Sequence, residues 1–343
     1  QGRLKLVPEM LLRSREMMIS HSPLHIEQGN KRINSIIHLL DQLPLKLNSD
    51  NLTLDKIDES IVTSKDALLN YQQWLNQNVI QMPLVHFPLN LELSELAFPF
   101  FIGKKYLPIH VYKLADKKRI PAQNRIFQLS LPIYLSYNDE PVWLDRDDTL
   151  EVIHWSIDYI RNRPENQVAF PDILAHFYKS ISNIEKLTDL KGLIPKNINK
   201  RVELAFDPAY IQSGFPVRLF DYHPNHFNSD ILYYIKGYED ATGLFSLTSK
   251  EIDLINIRYV IPGKSIQIAH AQKYSSPIRY MFPDPLNEAG WQIYAGQMIL
   301  NKEYGDWDAE YHILKMKEEL IVICHAFIED QYYSGKMTRK DAL

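Results

Sequence analysis

Apolar residues recur every three or four positions along most of this chain, and that spacing constrains the fold more than any other feature. It is the spacing that places apolar side chains on one face of an α-helix. Two sets cover residues 24–43 and 53–80, and a third follows the capping candidates Asp147 and Asp148. Because an apolar helix face must be buried against another element, we expect antiparallel helices packed together. The third and clearest set consists of Leu150, Ile153, Ile157 and Ile160.

Helix boundaries in the second half of the chain are marked by capping residues and prolines. Thr248 and Glu251 have the spacing of a capping box, and the apolar-periodic segment that follows them ends at Pro262. Two further helices are predicted, one that begins at Asp284 and one over residues 308–333. The C-terminal part of the chain is therefore predicted to be almost wholly helical.

Two segments depart from the helical pattern. Residues 81–143 contain seven prolines, which remove backbone donors and break long helices, so we expect a connector with brief helices and short extended pieces. Residues 201–222 mix alternating apolar residues with Gly and Pro, which predicts two short strands. The predicted fold is therefore mainly α, an irregular multi-helix body with a small β-ribbon.

Composition narrows the class of protein. The chain has 343 residues, 45% of them hydrophobic, which is enough for a large core. Its 38 basic residues do not exceed its 42 acidic residues, so the composition lacks the basic excess typical of a nucleic-acid-binding protein. No apolar run approaches the roughly 18 residues that a membrane-spanning helix needs. The single cysteine, Cys324, excludes intramolecular disulfides, and its apolar neighbours predict a buried, inert thiol. Glu318 and Glu319 lie beside Lys315 and Lys317, which is typical of a solvated helix face.

Two stretches near the C-terminus carry a more specific pattern. Residues 284–300 are DPLNEAGWQIYAGQMIL, and residues 257–268 are IRYVIPGKSIQI. They resemble two signatures of a large bacterial family, domain of unknown function 885, which are Glu-Gly-Trp-x-x-Tyr-Ala and His-Glu-x-x-Pro-Gly-His-His. The resemblance follows the helix order of the whole chain, and its specific motifs lie within residues 248–342. The matching residues are Pro262, Gly263, Gly290, Trp291 and Tyr294.

The resembled family is similar to zinc metallopeptidases, with a helical fold and a His/Glu metal motif, but other residues occupy the ligand positions here. Arg258 and Tyr259 stand at the first His and the Glu. Lys264 and Ser265 stand at the two His that follow Pro-Gly, and Ala289 stands at the metal-binding Glu. Zinc needs imidazole, thiolate or carboxylate ligands, whereas arginine and lysine stay protonated and repel a metal ion. We therefore expect neither a metal nor another cofactor at this site.

The resemblance implies a metallopeptidase-like helical body with a cleft, within one domain over residues 1–343. In that arrangement residues 1–80 are helical, residues 81–143 form the Pro-rich connector, and residues 144–343 carry the degenerate site. We predict a catalytically inactive protein whose cleft binds an extended ligand, either a peptide or a cell-envelope polymer, without cutting it. The predicted ligand-binding residues are Arg258, Tyr259, Lys264, Ser265, Ala289, Trp291 and Tyr294.

Two alternatives stay open. Residues 221–230, DYHPNHFNSD, gather four potential metal ligands, and a metal-dependent hydrolase could rebuild its site there, with Glu288 as a further carboxylate. The other alternative is a structural or interaction domain that docks a missing N-terminal part or an identical chain. The four potential ligands are Asp221, His223, His226 and Asp230.

The resemblance also implies a location. Members of the family are usually longer than this chain, and many carry a secretory or lipoprotein signal. We therefore expect a periplasmic or cell-envelope location in preference to the cytoplasm, and we expect this chain to be the C-terminal two-thirds of a longer protein. A single cysteine is compatible with either compartment. The sequence makes no prediction of the oligomeric state.

Overall fold

The computed structural model describes residues 2–49, 57–84, 91–102, 106–138, 146–199, 201–206, 217–220, 231–235 and 247–342. The described chain is mainly α-helical with one small sheet, which confirms the predicted fold class. It divides into two compact units. Unit 1 comprises residues 1–87 with 206–216, and unit 2 comprises residues 88–205 with 217–343.

Unit 1 is built from helices that pack through their apolar faces, as the periodicity of residues 24–43 and 53–80 predicted. The helices are α1 (Gly2–Lys5), α2 (Val7–Met17), α3 (Pro23–Ser49) and α4 (Ile57–Gln77), and a short 3₁₀ turn follows over Val79–Gln81. The buried cluster of this unit comes mainly from α3 and α4. Its members are Ile33, Leu40, Ile61, Leu68, Tyr71, Leu75 and Val79.

Unit 2 carries the longer helices. They are α5 (Leu91–Ile102), α6 (Pro108–Tyr137), α7 (Arg146–Asn162), α8 (Ile173–Leu190), α9 (Ser249–Tyr259), α10 (Lys264–Tyr274), α11 (Pro277–Met281), α12 (Pro285–Leu300), α13 (Ala309–Tyr333) and α14 (Arg339–Ala342). One buried cluster joins α6, α7, α9, α12 and α13, so these helices share a core. Its members are Ile126, Ile153, Ile160, Leu254, Leu300, Ile313 and Leu314.

Helix α6 contradicts the expectation of brief helices and extended pieces within residues 81–143. It runs for 30 residues and contains Pro121 and Pro132 in its interior. Each interior proline removes one backbone hydrogen bond and costs on the order of 3 kcal/mol. Packing of α6 against α7 and α13, which buries Ile126 completely, offsets that cost. Tertiary burial therefore overrides the local propensity of proline.

The sheet has three strands, β1 (Val202–Phe206), β2 (Val217–Phe220) and β3 (Ile231–Ile235), in the order β1-β3-β2. Strands β2 and β3 are antiparallel, with Val217 opposite Ile235. The two strands predicted within residues 201–222 are confirmed as β1 and β2, whereas β3 was not predicted. Ile231, Tyr233 and Ile235 of β3 are buried, so this strand contributes to the core.

Candidate ligand-binding site

The turn between α9 and α10 is the centre of the predicted site. A Cβ atom added to Gly263 would lie 1.9 Å from the carbonyl oxygen of Arg258, so this position admits only glycine. The indole Nε1 of Trp291 on α12 donates to the carbonyl oxygens of Pro262 at 2.9 Å and Gly263 at 3.2 Å. The two stretches that carry the family resemblance are therefore in direct contact. The residues in this contact, Pro262, Gly263 and Trp291, match the family's signatures, and the indole of Trp291 holds the backbone of the turn.

Arg258, near the end of α9, faces an acidic residue of α13. Its Nη1 atom lies 3.5 Å from Oε2 of Glu318, and its guanidinium carbon lies 5.3 Å from the centre of the Tyr259 ring. Its Nε atom is buried and has no hydrogen-bond partner among the described residues. Burial raises the pKa of Glu318 and the pKa of Tyr259, while the charge of Arg258 opposes both shifts. Tyr259 therefore stays a neutral phenol at neutral pH.

Lys264, at the start of α10, also pairs with a carboxylate. Its Nζ atom lies 3.4 Å from Oε2 of Glu288 on α12, so the carboxylate considered as a displaced metal ligand faces a cation. Ser265 is buried, and its hydroxyl donates to the carbonyl oxygen of Tyr259 at 3.0 Å. Arg258 and Lys264, the two cations at positions matched to metal ligands, thus each face a glutamate of a neighbouring helix.

The remaining two predicted residues, Ala289 and Tyr294, are exposed residues of α12. Tyr294 is 56% exposed, and its ring centre lies 5.8 Å from that of Trp291. The structure thus brings Trp291 into contact with the Pro-Gly turn, which Arg258 and Tyr259 precede and Ser265 follows.

A groove of about 360 Å³ in unit 2 opens beside Arg258, and we refer to it as the α6–α13 groove. It includes exposed apolar side chains, with Leu114 at 53%, Ile293 at 41% and Val322 at 45% exposure. The lining residues come from α6 (Val111, Leu114, Ala115 and Lys118), α9 (Leu254 and Arg258), α12 (Gln292, Ile293 and Gly296) and α13 (Lys315, Glu318, Glu319, Val322, Ile323 and Ala326).

Apart from Arg258, the charged residues of the groove were not recognised from the sequence as part of a site. Lys315 is buried and donates to Gln297 at 2.8 Å and to Glu319, and Glu318 faces Arg258, so the prediction of a solvated helix face is wrong for this part of α13. Spacing along α13 indicates which residues share a face, but only the packing of α13 shows that this face lines a groove. Lys118 forms no ion pair with any residue that the structure describes.

The described residues contain no group of three or more His, Cys, Asp or Glu side chains arranged to hold a metal ion. The alternative metal site at Asp221, His223, His226 and Asp230 lies outside the described residues. Cys324 is half-buried and lies on α13. Over the part of the chain that the structure covers, no helix combines the length and apolar character needed to cross a bilayer.

Comparison with known proteins identifies the fold but not an activity. The chain superposes on a putative lipoprotein of unknown function from Shewanella oneidensis with a TM-score of 0.75 and 18% identity, over 99% of this chain and 62% of that one. A putative lipoprotein from Colwellia psychrerythraea matches with a TM-score of 0.66 and 13% identity, over 85% of this chain and 50% of that one. The chain thus spans only 50% to 62% of these two proteins. No family model and no curated protein matches the sequence.

Proposed function

We propose that this chain belongs to the domain of unknown function 885 family as a catalytically inactive member. In this proposal the α6–α13 groove binds a peptide through a carboxylate held by Arg258 and does not cleave it. The observation that carries the proposal is the position of Arg258, which replaces the first metal-binding His of the resembled signature and lines the groove. The contact of Trp291 with Pro262 and Gly263 supports the alignment of the two motifs.

Charge favours a carboxylate as the group that Arg258 binds. The groove contains three cations, at Lys118, Arg258 and Lys315, and two carboxylates, at Glu318 and Glu319. Lys315 and Glu319 pair with each other, and the 3.5 Å separation of Arg258 and Glu318 is longer than a charge-assisted hydrogen bond. A ligand carboxylate at hydrogen-bond distance would therefore replace a weak contact with a stronger one, and Lys118 would add a second cation.

The walls of the groove favour a peptide with apolar side chains. A peptide on a helical surface binds through apolar anchors, because the backbone groups of the helices are already hydrogen-bonded within each helix. Leu114, Ile293 and Val322 offer such contacts, and the volume of about 360 Å³ lies in the range of ordinary ligand sites. These three residues and Arg258 would together hold a short apolar segment next to its terminal carboxylate.

The residues at the matched positions do not supply the chemistry of peptide hydrolysis. A zinc hydrolase needs three protein ligands for the metal and a base for the bound water. Arg258 and Lys264 donate hydrogen bonds only, and Tyr259 has a raised pKa, so it is a poor base at neutral pH. The alternative of a metal site around His223 and His226 stays a prediction, as does a role as an interaction domain.

A cell-envelope location is part of this proposal. The two structural neighbours are putative lipoproteins, and the resembled family commonly carries export signals. The peptide that binds the groove would then be one present in the cell envelope. Fractionation of cells that express the full-length protein would test this location, and recovery in the cytoplasmic fraction alone would contradict it.

Binding and cleavage can be tested with one set of peptides. A pool of short peptides with apolar residues at the last two positions is prepared as free acids and as C-terminal amides. Fluorescence polarisation should show about tenfold tighter binding of the acids, the factor expected for a charge-assisted hydrogen bond. Arg258→Gln should abolish this difference, whereas Lys186→Gln, at an exposed position on α8, should preserve it.

Mass spectrometry of the same mixtures tests the absence of cleavage. The peptides should remain intact after incubation with the protein, both in chelator and in added zinc. Cleavage that depends on zinc would overturn the inactive assignment. Equal affinity for acids and amides would overturn the role of Arg258.

A further inference from the structure

A second cavity, of about 450 Å³, lies between α2 and α4 in unit 1, and none of its lining residues belongs to the α6–α13 groove. Arg15 is the one charged residue among the described residues that line it. Helix α4 and the turn after it contribute an indole ring and four amide side chains, from Asn70, Gln73, Trp74, Gln77 and Asn78.

Arg15 is held by aromatic rings and not by a carboxylate. Its guanidinium carbon lies 5.7 Å from the centre of the Tyr71 ring and 5.4 Å from that of Trp74. Its Nε atom is buried. Among the described residues, this atom has no hydrogen-bond partner and Arg15 forms no ion pair. A cation held over ring faces keeps its terminal N–H donors for a ligand. The cavity therefore favours a ligand with an anionic group.

The amides of the cavity differ from other amides on the same helix. Towards α3, Gln72 donates to Asn34 at 2.8 Å, and Asn76 accepts from Asn30 at 2.8 Å. The amides on the cavity side form no side-chain hydrogen bond with any residue that the structure describes. Each unpaired amide offers both donors and an acceptor. This face of α4 thus presents a row of amides along one side of the cavity, none of them paired with a described residue.

We propose that this cavity is a binding site for an acidic saccharide. Hydroxyl and acetamido groups both donate and accept, so they complement a row of amides, and a carboxylate on the sugar would pair with Arg15. The apolar face of a sugar ring would contact Trp74. A peptide fits less well, because it would bind a helical surface through apolar anchors, whereas the α4 side of this cavity presents amides.

The test compares two sugars that differ by one carboxylate. N-acetylmuramic acid is N-acetylglucosamine with a carboxylate-bearing lactyl ether. The indole Nε1–H signal of Trp74 is followed by NMR in the full chain during titration with each sugar. Both should shift the signal, and N-acetylmuramic acid should bind about tenfold more tightly, the factor that a charge-assisted hydrogen bond provides.

Variants separate the roles of charge and amides. Arg15→Gln should reduce the affinity ratio of the two sugars to about one, while Arg13→Gln, which removes an exposed arginine paired with Glu9, should leave it unchanged. Asn70→Ala should weaken the binding of both sugars, since it removes an exposed amide of the cavity and leaves the core unchanged. Gln72→Ala, on the face of α4 towards α3, should weaken the binding of neither sugar.

Three results would overturn the proposal. The first is the absence of a Trp74 shift with either sugar up to its solubility limit. The second is an equal affinity for the two sugars in the unmodified protein. The third is a shift produced by a carboxylate-bearing peptide but by neither sugar, which would assign the cavity to peptides. None of these results depends on the α6–α13 groove, so the two sites are tested separately.

Discussion

Replacing Glu310 with Gln should destabilise unit 2, because Glu310 anchors the start of α13 to α9 and to the segment that follows α7. Its side chain is only 7% exposed, and it pairs with Arg163, beyond the end of α7, and with Lys250 of α9, the latter at 2.7 Å. Asn166 donates to it at 3.1 Å. The substitution keeps the shape of the side chain and an acceptor for Asn166, and it removes the charge that faces the two cations.

The expected loss follows from the partners that remain. Removing one member of a buried ion pair costs about 3–5 kcal/mol when the other charge is left alone. Here Arg163 keeps Glu165 and Lys250 keeps Asp308, so neither cation is left unpaired. We therefore expect a loss of about 2–3 kcal/mol, below the full cost of an isolated buried charge.

The control is Glu165→Gln, which removes the other carboxylate partner of the same arginine. Glu165 is 55% exposed, so its loss should cost much less than the loss of Glu310. Urea unfolding is followed by tryptophan fluorescence in a Trp74→Phe background. The remaining four tryptophans of the chain then lie outside the residues of unit 1.

Thermal unfolding gives a second measure. A loss of about 2–3 kcal/mol in a unit of this size should lower the Tm by about 5–10 °C. If Glu310→Gln and Glu165→Gln lower stability by the same small amount, burial does not set the strength of these pairs, and the reasoning fails.

Two further predictions concern the turn and the groove. Gly263→Ala should prevent native packing of unit 2, because the new Cβ would lie 1.9 Å from the oxygen of Arg258, whereas Gly290→Ala, where a Cβ meets no atom within 4 Å, should stabilise α12 by about 0.5–1 kcal/mol. Thermal unfolding of both variants checks this pair, and equal behaviour would contradict it. Glu318 has a pKa raised above 4.5 by burial, so its contribution to stability is present below about pH 4.5 and is lost as pH rises through the raised pKa. The stability of the unmodified protein relative to Glu318→Gln should therefore fall as pH rises above about 4.5 in urea unfolding, and a difference independent of pH would count against the raised pKa.

Local signals made several helices predictable. The capping box before α9 forms as its residues indicate, with the amide of Thr248 donating to Glu251 and the amide of Glu251 donating to Thr248, both at 3.1 Å. Its groups lie three residues apart, so the pattern in the sequence contains the whole interaction. Helix α6 was not predictable in the same way, because its interior prolines oppose it locally and only contacts with α7 and α13 sustain it.

Part of the proposed site lies within short motifs, and the rest depends on contacts between distant parts of the chain. Arg258 and Trp291 could be located through the motifs that contain them, since each motif is a short run of residues. The partner of Arg258 is Glu318, which lies 60 residues further along the chain, and no spacing rule connects the two. The cavity beside Arg15 was not predicted either, because it forms where two helices of unit 1 meet.

The amino-acid sequence by itself determined the helical class and the position of most helix ends. The tertiary structure decided which charges face each other, which amides of α4 face the cavity, and which face of α13 lines a groove. The physical reason is the separation along the chain over which each interaction acts. Helix periodicity and capping act over a few residues, whereas ion pairs and grooves depend on how distant helices rotate and pack against one another.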